Sequence, residues 1–199
     1  MLLEIASILV GYILGSIPTA FIVAKLSKGI DIRKVGRGNM GAVNVMREVG
    51  MWEGALVAAT DIGKGAAVII VGQTLGITQP WLLGAAGAAV LGHCFPMYIG
   101  FRGGQGSATV IGVVLVLSPV VIGIVCGIIG IALLFTRSIF ASIAIAAPFF
   151  LLSMWLVERS PALVLFALAI VLFIGFRSRR GLKELIETIR DLREIKKNN

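Results

Sequence analysis

Charge is scarce in this chain. Only 14% of its 199 residues are Asp, Glu, Lys or Arg, where a soluble domain carries about a quarter. With 58% hydrophobic residues and a mean hydropathy of +1.00, more apolar surface exists than one core could hide, so lipid must cover the rest. Cysteine is nearly absent too. Cys94 and Cys126 sit in different apolar runs without CxxC or Cys/His spacing, which excludes a disulfide framework or a zinc knuckle. There is one histidine, His93, and no carboxylate cluster beside it in sequence, so no metal site is expected. Neither Gly-x-Ser-x-Gly nor His-x4-Asp occurs, and no nucleophile–base pair is visible. The net charge of +8 would suggest nucleic acid in a soluble protein. Here the cations sit in loops and tail between apolar runs, and a membrane reading replaces it.

What is present is a series of apolar segments: Leu2–Ala24, Gly54–Leu75, Trp81–Ile99, Ser107–Phe135, Ile139–Val157 and Ala162–Phe176. The first opens with Glu4 rather than a basic stretch and has no small-x-small cleavage site, so it reads as a span and not as a leader. The fourth is too long for one crossing, which takes about 20 helical residues, and Ser118-Pro119 interrupts it. Charge parity decides how often it crosses. If Ser107–Phe135 crosses twice, Lys25–Arg47, Arg102, Arg137 and the basic tail all fall on one side, as the positive-inside rule favours. The expectation is an all-α membrane protein of about seven short transmembrane helices, N-terminus out and C-terminus cytoplasmic. Residues 1–181 form a single transmembrane domain in this reading. Residues 182–199 form a basic amphipathic cytoplasmic tail helix, with Leu182, Leu185, Ile186, Ile189, Leu192 and Ile195 on its lipid face.

Two glycine-rich basic segments carry the candidate chemistry. In the first, Gly36, Gly38 and Gly41 punctuate a run that also holds Arg33, Lys34, Arg37, Asn39, Asn44 and Arg47. Closely spaced glycines let backbone N–H groups converge on an anion, and arginine forks suit phosphate oxygens. No Gly-Lys-Ser/Thr follows and no βαβ unit surrounds it, so a nucleotide loop is excluded. The second is Gly103-Gly104-Gln105-Gly106-Ser107, which opens a helix and so places amides and a positive dipole end at the same membrane face. Asp61 and Lys64, three apart in the second span, share a helix face; ionisable groups there are paired or functional. A transporter using that pair for coupling is disfavoured by the lack of an inverted repeat and of polar outer loops.

These residues, in order, resemble the bacterial membrane glycerol-3-phosphate acyltransferases that use acyl phosphate as donor. The resemblance rests on Gly15-Ser16-Ile17-Pro18, Asp31-Ile32-Arg33, Gly36-x-Gly38-Asn39-x-Gly41-Ala42-x-Asn44-Val45, Asp61-x-x-Lys64-Gly65, Gly92-His93-x-Phe95-Pro96 and Phe101-x-Gly103-Gly104-x-Gly106. It implies transfer of a fatty acyl group from acyl phosphate to the 1-hydroxyl of glycerol 3-phosphate, giving lysophosphatidic acid and phosphate for phospholipid biosynthesis. It also implies a multi-pass protein of the bacterial inner membrane, a site on the cytoplasmic side, and no cofactor or metal. The partners it implies are the two substrates, membrane lipid and a soluble acyl-phosphate-producing enzyme, with no nucleic acid. The substrate-binding residues would be Gly36, Arg37, Gly38, Asn39, Gly41, Asn44, Arg47, Asp61, Lys64, His93, Gly103, Gly104, Gln105, Gly106 and Ser142. No catalytic residue is assigned, the donor's own phosphate taking the hydroxyl proton. The chain departs from the family pattern at polar positions. Arg37 stands where the family has serine, Val43 where it has threonine, Gln105 where it has lysine and Ile139 where it has serine. Ser178 and Gly181 replace a histidine and an asparagine. A paralogue with another acceptor, or a non-catalytic lipid-binding relative, is the alternative those changes leave open.

Overall fold

The computed structural model describes residues 1–178; the expected tail helix over 182–199 lies outside them. Among the described residues there are helices and turns and no strand. In order they are α1 (Leu2–Gly15), α2 (Thr19–Lys28), α3 (Ala42–Glu48), α4 (Met51–Thr74), α5 (Gln79–Cys94), α6 (Ser107–Leu117), α7 (Pro119–Thr136), α8 (Ile139–Glu158) and α9 (Pro161–Arg177). Short 3-10 turns occupy Ile32–Lys34 and Met97–Ile99. Five segments are long and apolar enough to cross a membrane: Leu2–Lys28, Met51–Thr74, Gln79–Ile99, Pro119–Thr136 and Ala141–Glu158. Ser107–Leu117 and Pro161–Arg177 are shorter apolar helices. Ser118 separates α6 from α7, which opens at Pro119, where the sequence placed the break.

The chain divides into two compact units, Met1–Leu117 and Ser118 onward. In the first, α1 packs along α5, and α4 packs along α6 and under α3. Small residues make these approaches possible. A Cβ on Gly15 would overlap the Ala89 carbonyl, one on Gly92 the Tyr12 carbonyl, and one on Gly112 the Ile62 carbonyl. Apolar side chains gain nothing by leaving lipid for one another. Contact between helices therefore depends on backbones coming close, which only glycine and alanine allow. In the second unit, α8 packs between α7 and α9, and Ser118 donates to Glu158 across it.

Two local features were not read from sequence. The first apolar segment is not one helix. Pro18 has no amide hydrogen to donate, and α1 ends at Gly15 while α2 begins at Thr19. The first basic segment is not all loop either, since Ala42–Glu48 forms α3. Its apolar face joins Ala20, Val23, Ala24, Ile32, Met40 and Val57 in a small core under the loop.

Candidate active site

Arg33 shows how the first loop is built. Asp31 caps the turn by accepting the Arg33 amide at 3.1 Å. Its carboxylate takes the guanidinium fork through Nε and Nη2, each at 2.9 Å. The remaining Nη1 donates to the Ile99 carbonyl at 2.9 Å, and the guanidinium lies over the Phe21 ring, 5.0 Å from its centre. Arg33 was read as one of the loop's phosphate cations. It is instead a strap from α2 through the first loop to the turn before the second glycine segment. The Arg33 guanidinium holds the Asp31 carboxyl below the usual carboxylate range, and Asp31 in turn raises Arg33. A depressed carboxyl contributes stability above its unfolded value of about 3.9 and loses it as the pH falls through the folded one. Hydrogen exchange of amides 31–41 should therefore stay protected down to about pH 4 and quicken below. Asp31→Asn should abolish that acid step.

Asn44 holds the loop shut. Its side chain accepts the Arg37 amide at 3.0 Å and donates to the carbonyls of Asn39 at 3.0 Å and Val35 at 3.2 Å. It is buried, and these bonds shape the loop around it. Gly36 and Gly38 flank Arg37 with φ of 58° and 64°, in the left-handed region where a side chain is strained. Gly41 has an extended backbone and caps α3. Arg47 stands on the exposed side of α3.

The second glycine segment folds back onto the end of α5. The Gly103 amide donates to the Cys94 carbonyl at 3.1 Å, and that of Gly104 to His93 at 3.2 Å. These two amides were expected to face a ligand; they bind the orphan carbonyls at the end of α5 instead. The amides this segment has to offer belong to the first turn of α6, which the helix cannot satisfy internally. Gly106, with φ of 91°, makes the bend into α6, where a Cβ would sit 3.1 Å from Cys94 Sγ.

The two segments meet. Met40, from the first, brings its carbonyl to 3.0 Å from the Cβ position of Gly104, from the second. Met40 and Gly104 also line one small cleft with Ile17, Thr19, Asp61 and His93. Beneath it lies a buried ionic group, with Asp61 2%, His93 8% and Lys64 9% exposed. Asp61 Oδ1 receives Lys64 Nζ at 2.9 Å and Thr19 Oγ1 at 3.2 Å, and His93 Nδ1 lies 3.5 Å from it. Lys64 Nζ also donates to the Ile17 carbonyl at 3.2 Å, in the break between α1 and α2. The Lys64 ammonium is thus held by the bundle, where a broken helix needs its backbone satisfied. Asp61 and His93 reach the cleft; Lys64 stands behind it. Sequence reading missed Thr19, Met40 and the Ile17 carbonyl. Pro18 was the available signal for the last, because a helix break in an apolar span leaves polar backbone that something must bind.

Ser142 belongs to the second unit, where its hydroxyl donates to the Ser138 carbonyl at 2.9 Å and lies 3.0 Å from Thr136 Oγ1. Gln105 is half-buried between Gly104 and Gly106.

A family model described as glycerol-3-phosphate acyltransferase matches residues 5–188. The chain belongs to the glycerol-3-phosphate acyltransferase family. It is 40% identical to the glycerol-3-phosphate acyltransferase of Geobacter sulfurreducens over 188 residues, covering 94% of this chain and 96% of that one. It is 37% identical to that of Endomicrobium trichonymphae over 187 residues, covering 94% of each. Its fold matches the crystal structure of PlsY (YgiH), an integral membrane glycerol 3-phosphate acyltransferase, in the glycerol 3-phosphate form. The TM-score is 0.86 at 33% identity, over 92% of each chain. The lysophosphatidic acid form of PlsY matches with a TM-score of 0.83. The family and the apolar helices together make this a multi-pass all-α membrane protein, as the composition required.

Proposed function

We propose that the protein transfers a fatty acyl group from acyl phosphate to the 1-hydroxyl of glycerol 3-phosphate in phospholipid biosynthesis. The hydroxyl oxygen bonds to the acyl carbon, the anhydride C–O bond breaks, and inorganic phosphate leaves with the hydroxyl proton. Lysophosphatidic acid is the other product. The observation that carries this reading is the meeting of the two glycine segments at Met40 and Gly104, since a reaction between two phosphorylated molecules needs two anion-binding elements side by side. An acyl phosphate is already activated, so catalysis reduces to holding both reactants in line and stabilising the oxyanion that forms. Arg37 and Arg47 are the cations we place at the phosphates, with the first turn of α6 as a third source of positive potential. The donor's chain enters from the bilayer, because carrying it through water costs about 0.8 kcal/mol per CH2. The site faces the cytoplasm, with the N-terminus outside, in a bacterial inner membrane. This orientation puts every basic loop on the inner side, where a soluble enzyme delivers acyl phosphate.

The test is purified protein in lipid with acyl phosphate and glycerol 3-phosphate. Phosphate release that depends on glycerol 3-phosphate is the expected result. Release only with a different acceptor would make the protein a paralogue, and release with none would refute catalysis. Within the same assay, Arg37→Ser should raise KM for glycerol 3-phosphate about tenfold, which corresponds to ~1.4 kcal/mol, because Arg37 supplies charge on the loop that meets Gly104 through Met40. Unchanged kinetics would reject that role.

A further inference from the structure

Asp61 and His93 have more to do than fill the bundle. The His93 imidazole lies between α4 and the second glycine segment. On one edge, Nδ1 faces Asp61 Oδ1 at 3.5 Å. On the other edge, Nε2 and Cε1 abut Gly104 so closely that a Cβ there would overlap Nε2. The His93 carbonyl receives the Gly104 amide at 3.2 Å, so backbone and ring of one residue grip the same glycine from two sides. Gly104 is in turn the point that meets Met40. Asp61 cannot drift, because Lys64 at 2.9 Å and Thr19 at 3.2 Å hold the oxygen that faces His93. The chain of contact runs from the α1–α2 break through Asp61 and His93 to Gly104 and Met40.

We propose that His93, oriented by Asp61, is a positioning residue that sets how far the second glycine segment stands from the first, and so the spacing between the two phosphate-binding elements. This rests on the acyl-transfer reading and adds to it a residue that acts through Gly104 rather than on the substrates. Gly104 is then glycine because the ring occupies the place of its side chain.

The ring and a Cβ at 104 compete for one space, which a double-variant cycle detects. Gly104→Ala should lower kcat/KM at least tenfold in the wild-type background. His93→Ala should do likewise, with a thermal midpoint within a few degrees of wild type in the same lipid. Gly104→Ala added to His93→Ala should cost several-fold less than it does in the wild-type background, since the ring it collides with is gone and only the Met40 carbonyl, 3.0 Å from the Cβ position, stays close. His93→Asn, which keeps a donor toward Asp61 but not the ring, should behave as His93→Ala. Losses that multiply in the double variant, or unimpaired turnover in His93→Ala, would overturn the proposal. A second readout needs no turnover. Hydrogen exchange of amides 103–106 should quicken in His93→Ala and in Asp61→Asn while that of α5 above Leu91 is unchanged; unaltered exchange at 103–106 would also refute it. An inactive wild type with quickened exchange in the variants would sink the acyl-transfer reading alone.

Discussion

Gly103→Ala should lower kcat/KM by about 100-fold or more, equal to ~2.7 kcal/mol of barrier, with the helices intact. The position allows no methyl group. A Cβ there would overlap the His93 carbonyl and lie 2.8 Å from that of Cys94 and 2.5 Å from Pro96 Cδ. None of these can step aside. The two carbonyls are the last of α5, and the proline ring is fixed to its backbone. The segment must move instead, breaking the Gly103 and Gly104 bonds to α5 and drawing Gly104 away from Met40. Gly103 is an obstacle of space and not of backbone angle, as its φ is not positive. Serine should therefore fare no better than alanine, since its Cβ would sit in the same place. Gly123, with open space around its Cβ position, is the control: Gly123→Ala should leave turnover unchanged. Steady-state kinetics in lipid, with circular dichroism to confirm the helices, decides the matter. Wild-type turnover in Gly103→Ala would mean that the second segment does not need its seat on α5.

The second large effect concerns the bundle itself. Gly15→Leu should prevent a stable fold, and Gly15→Ala should lower stability by the upper end of the about 1–3 kcal/mol typical of overpacking. Along the α1–α5 seam, Gly11 and Gly15 lie against the backbones of Ala85 and Ala89, and Gly92 against Tyr12. The overlap at Gly15 is with Ala89 backbone atoms, which a rotamer change cannot relieve. Forcing α1 off α5 also withdraws the Tyr12 hydroxyl from the Phe95 carbonyl it reaches at 2.8 Å. It shifts the break at Ile17, on which Lys64 depends. Activity should fall together with the thermal midpoint. Gly63→Ala, at an exposed position of α4 with no atom near its Cβ site, should be neutral. A thermal unfolding series in one detergent or lipid compares all three, and equal midpoints for Gly15→Ala and Gly63→Ala would refute close helix approach as the reason for glycine at 15.

Much of this molecule could be read one residue at a time. Low charge and long apolar runs required lipid, because hydropathy sums along a chain whatever its fold. Pro119 marked the boundary between α6 and α7, because a missing amide hydrogen acts locally. Glycines flanking Arg37, and Gly106 before Ser107, marked two turns for a different local reason, the positive φ that glycine adopts without strain. Motif order pointed to the family, which the comparisons bear out.

What the tertiary structure alone decided is which of those polar groups are already engaged. Arg33 and Asn44 read as ligands and prove to be the strap and the hub of the first loop. Gly103 and Gly104 read as anion-facing amides and prove to be bound to α5. Thr19 and the Ile17 carbonyl were invisible, because their importance comes from Asp61 and Lys64, more than forty positions away in sequence and in hydrogen-bond contact in the fold. Composition and spacing determine that a side chain could bind phosphate. Whether its hydrogen bonds are already taken depends on neighbours brought by other helices, and a sequence does not carry those distances.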